Sequence, residues 1–275
     1  MTDRGIHAEI LVTERPGHAR ELAAAAVARG ATHVIAWGGD GTINDVAAAL
    51  VFRETSLGIV PSGSGNGLAR ELGVPWNPAS ALTVALDGRL RSIDCGELDG
   101  RLFVNVAGVG LDARVAHQFA AHGLVRRGFM QYVRISMREL LRFEAHPHTI
   151  VAGTHRMECR CLLVAIANAR QYGNGAVIAP DARIDDGRLD IVVVEDRSLV
   201  RILARLPDLF RGRLKGAPGV TMLPAETFEI RAAHQVLYHL DGEPFVGAAT
   251  IRGRVLARAL RVRVPLAEED RSAPT

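Results

Sequence analysis

The sequence predicts an α/β protein in two parts: an N-terminal parallel-sheet domain over residues 1–90 and a mostly antiparallel, β-rich domain over residues 91–275. Three observations carry this. Up to about residue 90, apolar strand-like runs alternate with helical stretches, an order that builds parallel sheets covered by helices. Beyond it, strand-like runs joined by Gly and Asp turns dominate. Two glycine clusters fall at the carboxyl ends of successive early strands, the place where such sheets hold ligands.

In the first part, residues 7–13 read as a strand, 17–30 as an alanine-rich helix and 32–39 as a buried strand. Residues 42–52 read as a second helix and 56–63 as a third strand. Residues 67–74 form a further helix, closed by Gly73 and Pro75. In the second part, strands are expected in 92–108, 157–168, 188–196, 226–232, 235–245 and 254–265. Two helices, 128–145 and 199–214, interrupt them. There is no internal repeat, low-complexity tract or long linker.

The 275 residues, 48% hydrophobic and 23% charged, are enough for a buried core and exclude a disordered chain. No apolar run reaches the ~20 residues of a membrane-spanning helix. The start of the chain lacks the order of a secretion signal. Cys95, Cys159 and Cys161 make no disulfide framework or zinc-finger spacing, so a reduced, cytoplasmic setting is expected. A net charge of +3 gives no bulk case for nucleic acid. Lys215 is the sole lysine, and no GxxxxGK[ST] motif exists. Phosphate must therefore be held by backbone N–H groups, arginine or metal.

The strongest motif is Gly38-Gly39-Asp40-Gly41-Thr42, between a strand and a helix. Its glycines let backbone N–H groups turn toward an anion, and the helix adds its positive end. Thr42 serves either as a helix cap or as a phosphate contact. Asp40 beside phosphates calls for a cation, magnesium or water in its shell; read alone, it is an ordinary capping residue of a tight turn. Pro61-Ser62-Gly63-Ser64-Gly65-Asn66-Gly67 repeats the strand–loop–helix pattern about twenty residues later, so the two loops form a cleft. Asp241 and Glu243 share a tight turn, which alone reads as an acidic hairpin, and residues 185–190 alone read as an Asp-Gly hairpin entry. Gly108, Gly110 and Ala113 fit G-x-G-x-x-A, but no parallel strand with a ribose-binding acid follows, so the dinucleotide reading is rejected. Residues 127–143 and 199–216 mix arginine with Leu, Ile, Phe and Met at helical spacing. This suits either a helix lying on an anionic bilayer or an amphipathic helix packed on the core.

The run GGDGTIND followed by GIVPSGSGNGLARELGVP resembles the catalytic region of the diacylglycerol kinase and sphingosine kinase superfamily. Gly110-Leu111-Asp112, residues 185–190 and Leu240-Asp241-Gly242-Glu243-Pro244 extend the likeness along almost the whole chain. The resemblance implies a lipid-kinase and NAD-kinase-like fold, with a nucleotide domain, a β-rich domain and an active site between them. It implies ATP and Mg2+ as cofactors and transfer of a γ-phosphate to a lipid hydroxyl. Gly38, Gly39, Asp40, Gly41, Thr42, Ile43 and Asn44 resemble the ATP-phosphate loop; Gly63, Ser64 and Asn66 resemble the second loop, and Thr13 another nucleotide contact. Asp186, with the carbonyls of Arg183 and Arg188, resembles a structural magnesium site. Glu243 resembles the proton acceptor, with Asp241 and Asp40 as catalytic partners, and Asp112 resembles a contact to the lipid headgroup.

The same resemblance implies a lipid partner at a membrane surface, peripheral attachment, no nucleic acid and no membrane span, and leaves a homodimer open. Two departures stand out. Family members begin with a strand ending in an Asn-Pro-x-Ser-Gly-type loop, whereas this sequence opens on what resembles their second strand. Gly67 follows Asn66 where diacylglycerol kinases tend to carry Asp, which is closer to the sphingosine kinase loop. The competing readings are an NAD kinase, which shares the GGDGT loop, and a non-catalytic nucleotide- or lipid-binding remnant.

Overall fold

The computed structural model describes residues 7–121, 129–173 and 175–266. Its first part contains α1 (His18–Ala28), β1 (His33–Gly38), α2 (Asp40–Leu50), β2 (Ser56–Pro61), α3 (Gly67–Glu71) and α4 (Pro78–Asp87). β1 and β2 run parallel, with Trp37 opposite Val60. All six residues of β2 are buried, as expected of a strand covered on both faces. In α2 the buried residues are Ile43, Val46, Ala47 and Leu50, one helical stripe laid against the sheet.

Two local expectations change. Residues 7–13 form no strand; they are exposed, Ile10 at 90% and Val12 at 76%. Their alternation of apolar and polar residues is strand-like, but a strand requires a neighbour to take its backbone hydrogen bonds. β1, which pairs with β2, does not pair with this segment. Conversely, α4 was not anticipated, although Asn77 caps the Ser80 N–H and Pro78 opens the first turn. It packs on β2 where Gly58 lacks a side chain: a Cβ there would lie 2.7 Å from that of Ala85.

The remaining elements are β3 (Arg89–Leu98), β4 (Arg101–Phe103), β5 (Val106–Gly110), α5 (Leu111–Ala121), α6 (Phe129–Arg142), β6 (Pro147–Ala152), β7 (His155–Ala167), β8 (Gln171–Gly173), β9 (Ala176–Val177) and β10 (Leu189–Glu195). After them come α7 (Leu199–Phe210), β11 (Val220–Ala225), β12 (Thr227–Arg231), β13 (Leu237–Leu240), β14 (Glu243–Val246) and β15 (Thr250–Val264). Pairing among β5, β6, β7, β10 and β13 is antiparallel throughout. The start of the expected 128–145 helix, at residue 128, lies outside the described residues, as do residues 1–6 of the N-terminal stretch read for a secretion signal.

β15 joins the two parts. Its first residues pair antiparallel with β12, and its length runs along β3. Val262 then lies opposite Leu57 of β2 in a parallel pairing. Arg258, at φ 49°, bends the strand where its register shifts. Leu260, Val262 and Val264 enter the core built by α2 and β2, while Ile251 enters the core of the β-rich domain.

Candidate active site

The two glycine loops touch backbone to backbone. A Cβ at Gly63 would lie 2.6 Å from the Gly39 Cα, and one at Gly65 would lie 2.7 Å from the Asp40 carboxylate. Asp40 locks them: its Oδ2 accepts the Asn66 N–H at 2.8 Å and its Oδ1 the Gly67 N–H at 2.8 Å. Asn66 is fully buried at φ 49°, where its Oδ1 accepts the Gly63 N–H and its Nδ2 donates to the Gly63 carbonyl. Burial pushes the Asp40 carboxyl up, and the Gly67 and Asn66 N–H groups work against that. Thr42 folds back over Gly38, within 2.6 Å of where a Cβ would stand. α2 starts on Gly39 with no side-chain cap, leaving its positive end turned to the loops. Ile43 is buried in the core and its N–H closes on the Gly39 carbonyl, whereas Gly41 and Ser64 are exposed.

The Asp241–Glu243 turn sits against this floor. Leu240 pairs with Glu243 across a two-residue hairpin turn in which Asp241 (φ 48°) and Gly242 (φ 87°) are both left-handed, the conformation favoured by Asp-Gly. The Asp241 carboxylate faces inward. Its Oδ1 accepts the Asn105 and Val106 N–H groups at 2.9 Å each; its Oδ2 accepts the Val104 N–H at 2.8 Å and Asn44 Nδ2 at 2.5 Å. Asn44 belongs to α2, so this last bond fastens the turn to the first glycine loop. Burial drives the Asp241 pKa up against these donors. Glu243 faces outward and is exposed. Desolvation first, then Asp45, raises its pKa; Arg101 opposes the shift and Asp241 adds to it. A carboxylate made more basic beside an anion-ready loop is the arrangement of a general base next to a phosphate site.

This geometry has close relatives. Residues 1–98 match the diacylglycerol kinase catalytic domain family, and residues 105–264 match the YegS C-terminal NAD kinase beta sandwich-like domain family. A Pseudomonas aeruginosa protein described as "Probable lipid kinase YegS-like" is 34% identical over 270 residues, covering 96% of this chain and 86% of the relative. The chain belongs to the diacylglycerol kinase superfamily. A "Diacylglycerol kinase" of Mycobacterium tuberculosis is 33% identical over 250 residues, covering 88% of this chain and 80% of its own length. The crystal structure of a diacylglycerol kinase from Bacillus anthracis shares the fold, with a TM-score of 0.72 at 21% identity over 95% of this chain and 85% of that one.

The chain is thus a kinase. The remaining site residues of this diacylglycerol kinase relative fall outside the Asp40–Asp241 floor. Asp112, at the start of α5, accepts the Tyr172 hydroxyl at 2.9 Å and faces His239 Nε2 at 3.4 Å. Asp186 is exposed on a loop where its Oδ1 accepts the Arg188 N–H at 3.1 Å, among Asp181, Asp190 and Lys215. That loop is anchored by Asp94, fully buried, which accepts the Gly187 and Arg258 N–H groups at 2.6 Å each. Thr13 lies on the exposed 7–14 segment. Sequence reading missed Asp45, Asp94, Arg101, Asn105, Tyr172 and His239. Asp45 had a signal, following directly on Asn44 in the GGDGTIND run. The others act through partners 60 or more positions away, which no local motif encodes.

Proposed function

We propose that this kinase transfers the γ-phosphate of ATP to a hydroxyl of a diacylglycerol- or sphingoid-type lipid at a membrane surface. The observation that carries the reading is the bond from Asn44 to Asp241, which sets Glu243 beside the glycine loops. The names of the relatives, lipid kinase and diacylglycerol kinase, agree with it. Gly38 to Asn44 and the Gly63–Asn66 loop cradle the phosphates through backbone N–H groups and the α2 N-terminus, and Thr13 and Ser64 complete the nucleotide contacts. Glu243 takes the proton of the acceptor hydroxyl as its oxygen bonds to phosphorus and the bond to ADP breaks. Asp241 holds that turn in place, and Asp112 meets the headgroup.

Asp186 and the carbonyls of Arg183 and Arg188 offer the hard oxygen donors that magnesium takes, and Asp40 keeps a lone pair on each oxygen for the same ion or its water. Burial, then the Asp186 and Asp181 charges, raises the Asp190 pKa to about 6, so this loop carries negative charge that a cation would offset. Bound magnesium would neutralise charge on the transferring phosphate. α7 supports attachment to an anionic bilayer: it has no buried residue, and Leu199, Val200, Leu206 and Phe210 are exposed beside Arg201, Arg205 and Arg211. The test is ATP consumption with magnesium against micelles of diacylglycerol, sphingosine and monoacylglycerol, with NAD as a control acceptor. Turnover on a lipid that disappears in Glu243→Gln and Asp40→Asn upholds the reading; NAD as the productive acceptor, or unchanged turnover in both variants, sinks it.

A further inference from the structure

His239 is a buried histidine, 5% exposed, that none of the chemistry above uses. It lies two residues before Asp241, at the register position of β13 opposite Gly108 of β5. Its ring fills the space left by that glycine: a Cβ at Gly108 would stand 2.5 Å from His239 Nε2 and 2.0 Å from Asp112 Oδ2. The G-x-G spacing that resembles a dinucleotide fingerprint therefore serves to admit an imidazole and a carboxylate side by side.

The two ring nitrogens face different partners. Nδ1 accepts the Gly242 N–H at 3.3 Å, and Nε2 faces Asp112 Oδ2 at 3.4 Å. Asp112 Oδ2 also accepts the Tyr172 hydroxyl at 2.9 Å. An N–H donor on one side and a carboxylate on the other select the neutral tautomer with its proton on Nε2. The Gly242 amide needs this partner. The hairpin pairs Leu240 with Glu243, and the Asp241 N–H goes to the Val106 carbonyl, so the bond to His239 is the one given to the amide immediately before Glu243.

We propose that His239 is a positioning residue for Glu243: by accepting the Gly242 N–H it fixes the tilt of the turn, and through Asp112 and Tyr172 it couples that tilt to the headgroup side of the cleft. This rests on Glu243 as the proton acceptor. Asp241 pins the turn from the other side through the Val104–Val106 backbone, so the peptide between Asp241 and Glu243 is held at both ends. Losing one hold lets the carboxylate wander by a fraction of an ångström to an ångström, and misplacement of that size costs on the order of a hundredfold in rate.

Asparagine and glutamine separate the two ring nitrogens. Asn places an oxygen near the Nδ1 position and keeps an acceptor for Gly242, while Gln reaches the Nε2 position and keeps only the link to Asp112. The full-length His239→Gln variant is expected to lose about ten- to a hundredfold in kcat with KM for ATP and melting temperature unchanged. His239→Asn is expected to recover kcat to within about threefold of the parent protein. Amide hydrogen exchange over residues 240–243, which needs no substrate, is expected to quicken in His239→Gln and to stay protected in His239→Asn. Equal kcat in all three proteins, recovery by Gln rather than Asn, or a joint fall of kcat and melting temperature in both variants would each overturn the proposal. If the parent protein turns over no acceptor, the lipid-kinase reading fails by itself. The exchange comparison still decides whether His239 holds the turn.

Discussion

Glu243 stands at an exposed hairpin tip, yet its carboxyl is raised by desolvation and by Asp45. Proton abstraction requires the ionised form, so kcat/KM is expected to rise with pH through a pKa above the ordinary glutamate value of about 4.3 and then to level off. Glu243→Gln should remove that limb from the pH–rate profile and lower kcat by about 10²- to 10⁴-fold, without moving the melting temperature. Asp241 presents the opposite case. Asp241→Asn puts an NH2 group against donors that expect an oxygen, orphaning the Val104 N–H and the Asn44 amide. Urea denaturation should show a loss of about 2–4 kcal/mol. Neighbouring carboxylates on one turn thus divide into one that acts and one that holds. Gly63→Ala tests the contact of the loops: its Cβ would meet the Gly39 Cα at 2.6 Å, so the loops must part. A several-fold rise in KM for ATP with kcat nearly kept is the expected result; unchanged KM would show that the contact does not shape the nucleotide site.

Individual elements show what sequence can and cannot reveal. α2 and β2 were legible because their pattern is local: a helical stripe of apolar residues, and a continuous apolar run. The expected strand at 7–13 failed because alternation describes a strand's faces and says nothing of its edges, which need a partner elsewhere in the chain. α4 carried a readable start in Asn77-Pro78 and was passed over in a stretch where texture changes from helix-rich to strand-rich. Motif residues were found in the candidate site, but their partners were not. Nothing near Asp241 in sequence points to Asn44 or to the Val104 amide. α7 offers a test at this scale. Two charge reversals, Arg201→Glu with Arg205→Glu, should weaken co-sedimentation with anionic lipid vesicles at least tenfold, since each basic residue near such a surface contributes about 1 kcal/mol. Raising the salt should act in the same direction. Binding that survives both treatments would remove α7 from the membrane contact.

At the scale of the whole molecule, β15 makes the two parts one unit. It carries side chains into both main cores, and its Arg258 N–H holds Asp94, which in turn holds the 183–188 loop. Leu260→Ala, at a fully buried position of the first core, should cost about 2–5 kcal/mol. Calorimetry should then show one transition moving down as a whole, where two independent halves would split into separate transitions.

The same strand sets a timetable for synthesis. β2 is a wholly buried apolar strand whose partner Val262 follows it by about 200 residues. Until those residues leave the ribosome, the edge of β2 is an open template for any other extended chain. At elongation rates of roughly 5–20 residues per second, that interval lasts on the order of ten seconds or more. Folding of this kinase is therefore gated by the emergence of its late strand, and its nascent first half is a natural client for chaperones that shield hydrophobic strand edges.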